Sequence, residues 1–278
     1  MATIETTATT WEIDAAGYHV DRTAISNSSK EVYRDSPKRY HAMYIAGTLE
    51  RDEPTPQMIL GSAVHLAILE RDLYESGAVV VSPKFEGTGS VAARKAWKAE
   101  NGGNLIITAE QAEKVRGMRE AVLSDPNASL LLGRYGRMEH AIRWQDEATG
   151  LSLKSRRDKE TTDWLADIKA TPMVDPESFA KHAFNMGWHR QASFYVEGER
   201  CYRGAVLPFV FIAVSPEPPH DVGCHELDEE FMRMGREENE ATLLDIRCAI
   251  NSGRWDAPYQ RQVNKLGAPR WAFNKDYK

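Results

Sequence analysis

LKSRRDKETTDWLADIKAT, residues 153–171, places Asp158 at the end of one predicted strand and Asp167, Ile168 and Lys169 inside the next, with the polar turn KETTD between them. With MEHAIRW (138–144) and the turn DEATG (146–150) ahead of it, the segment completes three successive strands, an antiparallel meander. The hairpin turn brings the two carboxylates to the same end of adjacent strands. Residues two apart on a strand share a face, so Asp167 and Lys169 point to one site while Ile168 packs into the core. Carboxylates that close suit a hard divalent cation. Magnesium on Asp158 and Asp167 would lower the pKa of a bound water, and Lys169 would orient that water or offset transition-state charge, which is what phosphodiester hydrolysis asks for. D-x-K alone arises by chance in many strands; the hairpin and the second carboxylate give it weight.

The flanking sequence supplies the rest of an α/β fold, a mixed central sheet flanked by helices. Helical signals begin near Ser28 and pass through SPKRYHAMYIAG (36–47). Thr55 and Pro56 open an apolar core helix, QMILGSAVHLAILERDLY (57–74). A loop from Glu86 to Ser90 follows, and Thr108 with Gln111 forms a capping box for a helix to Ser124. Asp175 and Pro176 start one long helix through SFAKHAFNMGWHRQASFYVEG (178–198). LPFVFIAV (207–214) and DVGCHEL (221–227) read as strands, and Asp228 caps a last helix that ends at Gly253. The expected organisation is an N-terminal arm over 1–25, either loose or an early packing strand, one domain over 26–253, and a tail over 254–278 whose Trp255 and Trp271 pack back on the body.

A chain of 278 residues with net charge -6 does not coat nucleic acid through a uniformly basic surface. It is compatible with an enzyme that clusters carboxylates around metal and confines its cations to one groove. No run approaches the roughly 18 apolar residues of a membrane helix, and the first 25 residues lack a secretory pattern. The expected location is cytoplasmic, with no membrane partner. Cys201, Cys224 and Cys248 are too few and too widely spaced for a disulfide framework or a zinc knuckle, and read as buried fillers in a reducing compartment.

Four blocks in order, GSAVHLAILE (61–70), MEHAIRW, LKSRRDKETTDWLADIKAT and WHRQASFY (188–195), resemble the blocks of RecE-type phage and prophage exonucleases, similar to exodeoxyribonuclease VIII, across roughly residues 25–245. The resemblance implies a PD-(D/E)XK nuclease-like core acting with magnesium, or manganese in its place. It further implies digestion of linear duplex DNA from the 5′ end, leaving 3′ single-stranded overhangs for phage-type recombination. A ring-shaped homo-oligomer, such as a tetramer, and a RecT-type annealing partner belong to the same expectation. Carried over by position, the metal ligands are His65, Asp158 and Asp167, the catalytic lysine is Lys169, and Gln191 and Tyr195 line the site. Where the class has a Pro-Asp-like pair, this chain has Arg157-Asp158.

Each residue also has a plainer reading. A lone histidine on an apolar helix is usually a hydrogen-bonded core residue, yet beside two aspartates His65 supplies a third ligand. Glu139 is either another metal carboxylate or a solvated strand start. Gln191 and Tyr195 share a helix face, as site-lining residues or as a buried pair. Lys154, Arg156 and Arg157, with Arg190, are candidate phosphate contacts, against salt bridges to Glu160 and Asp163. Lys30, Arg34, Lys38 and Arg39, interleaved with Tyr33, Tyr40 and Tyr44, form either a strand-binding platform or a solvated amphipathic helix. Competing functions are another nuclease of this class, Cas4-like or restriction-type, and a non-catalytic DNA-binding protein. Three badly placed cysteines weigh against the Cas4 type.

Overall fold

Ser26, Thr55, Thr108, Asp125, Asp175 and Asp228 each accept a backbone N–H from the helical turn that follows, a cap contributing about 1 kcal/mol. The structure is a computed structural model and describes residues 10–85 and 90–269. Its N-terminal part comprises β1 (Thr10–Ile13), α1 (Ala15–Val20), α2 (Asn27–Asp35), α3 (Pro37–Tyr40), α4 (Pro56–Leu69) and the single turn α5 (Arg71–Leu73). Then come β2 (Val79–Val81), α6 (Ser90–Glu100), β3 (Leu105–Ile107), α7 (Ala109–Ser124) and α8 (Pro126–Gly133). The meander is β4 (Gly136–Gln145), β5 (Ser152–Thr161) and β6 (Leu165–Ala170). It leads to α9 (Pro176–Asn185), α10 (Trp188–Arg203), β7 (Phe209–Val214), β8 (Val222–Glu226) and α11 (Glu229–Ser252).

The strands order as β1-β4-β5-β6-β7-β8, antiparallel except for the parallel pair β6 and β7, so the sheet is mixed as expected. Ala166, Ile168, Ile212 and Val214 pack on one face against α4 and α7 through Ala63, Val64, Ile68, Val115 and Met118. The other face sets Leu165, Phe209 and Phe211 against Phe179 and Ala192, and Ile142, Trp144 and Leu153 against Phe194 and Ile246. Trp144 is fully buried, and removing such a side chain costs about 3–5 kcal/mol. Gly198 lets α10 approach it: a Cβ there would lie 3.0 Å from the indole ring.

Several expectations need correction. The helix from Gln57 ends at Leu69, because Glu70 turns out of helical geometry at φ -123° and ψ 56°. The long helix over 178–198 is two helices, divided at Gly187, whose φ of 69° belongs to the left-handed region. KETTD is largely strand, since β5 continues to Thr161. β2, β3, α6 and α8 were not anticipated. Of the two readings of the N-terminal arm, β1 takes that of a packing strand, pairing along β4, and Ile25 bridges to Leu153. Trp255 stacks on Tyr40 with centroids 6.0 Å apart, whereas Trp271, residues 1–9 and the loop 86–89 lie outside the described residues. Cys248 is exposed rather than a buried filler. No helix among the described residues is long and apolar enough to cross a membrane.

Candidate active site

β4 and β5 hold one register from Gly136 opposite Thr161 to Gln145 opposite Ser152, interrupted only at Glu139 and Asp158, which the same register would set opposite each other. At that pair both strands lose their alternation. Arg137 Nη1 lies 2.8 Å from His140 Nε2, and Arg157 Nη2 lies 2.6 Å from Glu160. Residues three apart on a regular strand would face opposite ways. Glu139 absorbs the irregularity with φ 52°, a conformation that costs a non-glycine residue roughly 1–3 kcal/mol and tends to mark functional positions.

β5 then parts from β6. The two pair only at Lys159 with Ala166 and Glu160 with Leu165, and the same register continued would face Asp158 with Asp167. Instead the Ile168 N–H donates to Asp158 Oδ2 at 2.8 Å, and His65 Nε2 lies 2.8 Å from the Ile168 carbonyl oxygen. A carbonyl can only accept, so the hydrogen-bond network assigns the proton to Nε2. In the neutral ring Nδ1 therefore presents a lone pair, 3.4 Å from Asp158 Oδ2. Two electron-rich atoms facing each other are stabilised by a proton shared between them or by a metal cation bound to both.

Among the described residues, His65, Glu139 and Asp158 form a group whose donor atoms all lie within 4.8 Å of one another. Burial and the neighbouring Asp167 carboxylate push the Asp158 carboxyl well above the ordinary range. Burial and Asp158 raise that of Glu139. Arg156 partly answers this repulsion, donating through Nε to Glu139 and approaching Glu70 at 3.4 Å through Nη2. Glu70 is a site neighbour the sequence reading passed over, although it closes the block that contains His65. One imidazole and two carboxylates form a donor set that fits magnesium or manganese.

Beside the trio, Asp167 Oδ1 accepts from Gln191 Nε2 at 2.7 Å, and Gln191 Oε1 accepts from Lys169 Nζ at 2.8 Å. Lys169 Nζ also lies 2.6 Å from Asp167 Oδ2, an ion pair that leaves Oδ2 without a well-directed hydrogen bond. The ammonium sits over the Trp188 and Phe211 rings, 5.2 and 5.5 Å from their centroids. Those aromatic walls were legible only as core residues. The phenol of Tyr195 bonds Gln191, and burial keeps its pKa well above the usual value. Thus α4 brings His65, the kinked meander brings Glu139, Asp158, Asp167 and Lys169, and α10 brings Gln191 and Tyr195.

The expected phosphate contacts are placed differently. Lys154 is buried and donates to the carbonyls of Tyr18 and Asp21, fixing the end of α1. Arg157 is 1% exposed and pairs with Glu160 and Glu199. Arg190 is held by Glu31 and Glu238, and Arg156 by Glu139 and Glu70. The N-terminal platform is divided: Lys38 and Arg34 are exposed to solvent, while its aromatic members turn into the body. Lys30 is fully buried, Tyr33 and Tyr40 join the core, and Arg34 and Arg39 pair with Glu238 and Asp52. The buried cations, Lys30, Lys154 and Arg157, follow from the rule that a buried charge persists only when it is paired or hydrogen-bonded.

Residues 25–258 match the model of a family described as a PDDEXK-like domain of unknown function, DUF3799. Among solved structures, the chain is similar to a crystal structure of a "Putative exonuclease" from Eubacterium rectale, with a TM-score of 0.65 and 14% identity over 93% of this chain and 96% of that one. At that identity the likeness shows the fold, a PDDEXK-like nuclease fold. No curated protein matches the chain.

Proposed function

We propose that this chain, which belongs to the PDDEXK-like family DUF3799, is a divalent-metal-dependent nuclease that shortens linear duplex DNA from its ends. The observation that carries this reading is the donor trio of His65, Glu139 and Asp158, with the lone pair of Nδ1 turned to the Asp158 carboxylate, set beside the triad of Asp167, Lys169 and Gln191. Magnesium or manganese bound there would supply Lewis acidity and a water of lowered pKa. Asp167 is the further carboxylate available to the ion. Lys169, steered by the Gln191 carbonyl and walled by Trp188 and Phe211, offers an ammonium to the scissile phosphate or its attacking water. Gln191 fixes both neighbours at once, and Tyr195 remains a neutral hydrogen-bonding partner for it.

The description of the Eubacterium rectale protein favours an exonuclease. The resemblance to RecE-type enzymes favours 5′ polarity, 3′ overhangs, a ring-shaped oligomer and a role in recombination beside an annealing protein. Linear duplex labelled at the 5′ or the 3′ end, compared with covalently closed circles in magnesium, tests activity, end dependence and polarity together. Early release of the 5′ label with intact circles is expected. Circles cut as fast as linear DNA would leave an endonuclease of the same fold, and no metal-dependent cleavage of any DNA would remove the reading.

A further inference from the structure

Lys154, Arg156, Arg157 and Arg190, which looked suited to phosphate, are committed to partners within the protein, so further contacts to a polyanion are to be sought elsewhere. Of the described helices of eight residues or more, α6 alone buries no side chain. Its sequence, SVAARKAWKAE, sets Val91, Arg94, Lys95 and Lys98 at spacings of three and four, hence on one face. All four are exposed. Arg94, Lys95 and Lys98, and Lys84 just ahead of the helix, have no ion pair among the described residues. In a chain of net charge -6 whose other arginines are largely paired with carboxylates, that is a marked gathering of free positive charge.

The helix is fastened through Phe85, which meets Trp97 at its back and Arg94 of the stripe. Trp97, half-buried, meets Phe85 edge-on with centroids 6.2 Å apart, and the Arg94 guanidinium lies 5.9 Å from the Phe85 ring. β2 and β3, which α6 connects, run parallel beside α4, the helix that carries His65. An 11-residue helix without a buried face is marginal in water on its own. A partner that supplies negative charge along the stripe would stabilise it.

We infer that the α6 stripe of Arg94, Lys95 and Lys98 binds the phosphate backbone of the nucleic acid on which the site acts. The inference rests on the nuclease reading above. Its chemistry is that of backbone tracking: three cations spread over about one helical turn meet successive phosphates without reading bases.

The test is binding of a short linear duplex without divalent metal, so that nothing is cut, across a salt series for the wild type and for Arg94→Gln/Lys95→Gln/Lys98→Gln. Each phosphate contact contributes about -0.9 to the slope of log affinity against log salt. The triple variant should therefore show a slope shallower by about 2.7 and weaker binding at every salt, while Lys95→Gln/Lys98→Gln, which leaves the Arg94 contact with Phe85 in place, should lower the slope by about 1.8 with an unchanged thermal midpoint. An unchanged slope in a variant that still cleaves would overturn the stripe and leave the nuclease intact. A wild type that neither binds nor cleaves DNA would remove both. Loss of binding to phosphatidylserine vesicles with DNA affinity unchanged would assign the stripe to a membrane surface and overturn it too.

Discussion

Asp158 and His65 together replace a missing strand for Ile168, the carboxylate taking its N–H at 2.8 Å and the imidazole meeting its carbonyl at 2.8 Å. Backbone groups left open by the divergence of β5 from β6 are thus satisfied by the side chains that also face the cation site. Ligand orientation is set by the sheet itself: the His65 tautomer is fixed by a carbonyl and the Asp158 rotamer by an amide.

Cation binding should stabilise the fold increasingly with pH. Asp158 and Glu139 have raised pKa values, so above the ordinary carboxylate value near 4 the folded chain holds more protons than the unfolded one. Their contribution is full below that value and declines as pH rises through the raised ones. A divalent ion offsets the decline. At a concentration about 100-fold above Kd it adds about 2.7 kcal/mol, roughly 5 °C in Tm for a chain this size, with a larger increment at pH 8 than at pH 5. Thermal scans in magnesium and calcium at both pH values would show this; an increment independent of pH argues against shared carboxylates.

Asp167→Ala should abolish cleavage while the chain stays folded. Lys169→Ala should slow cleavage by about 10²–10³, the loss typical of a removed electrostatic donor, with magnesium affinity nearly unchanged. Titration calorimetry beside single-turnover rates separates the two. Parallel loss of affinity and rate in the lysine variant would mean that Lys169 organises the ligands rather than the reaction.

Glu139 pays for its position in backbone strain. Glu139→Gly and Glu139→Ala both remove a donor and should weaken magnesium binding, but the glycine variant, free to adopt φ 52°, should be more stable than the alanine variant by about 1 kcal/mol. Equal stabilities in urea would show that the strand tolerates the conformation without strain.

Arg157→Ala should act on stability rather than on DNA affinity. Its guanidinium is buried against Glu160 and Glu199, and breaking such a pair leaves uncompensated charge at a cost of about 3–5 kcal/mol. A variant of native stability that binds DNA poorly would restore Arg157 to the DNA surface.

The meander was legible because alternation and polar turns are local signals, and helix starts were legible from Thr55, Thr108, Asp175 and Asp228. The break at Gly187 was hidden because WHRQASFY continues a helical pattern and a single glycine does not announce its φ. The loss of alternation at Glu139 and Asp158 was hidden for a related reason: a period-2 reading assumes regularity where the backbone departs from it. Candidate site residues could be picked as types at spacings, and the nearby Glu160 was a visible partner for Arg157, but the burial of Lys154, Arg157 and Lys30 was not legible, since the Tyr18 and Asp21 carbonyls, Glu199 and Asn239 that complete their surroundings lie far away in sequence.

Gly187 also makes α10 independent of what precedes it. A helix turns by about 100° per residue, so in one continuous helix any insertion in α9 would rotate Gln191 away from Asp167 and Lys169. With the phase reset at Gly187, length changes upstream are absorbed before Trp188, while a single residue added between Gly187 and Gln191 swings the amide off the site. The indel tolerance of this region is therefore asymmetric about one glycine.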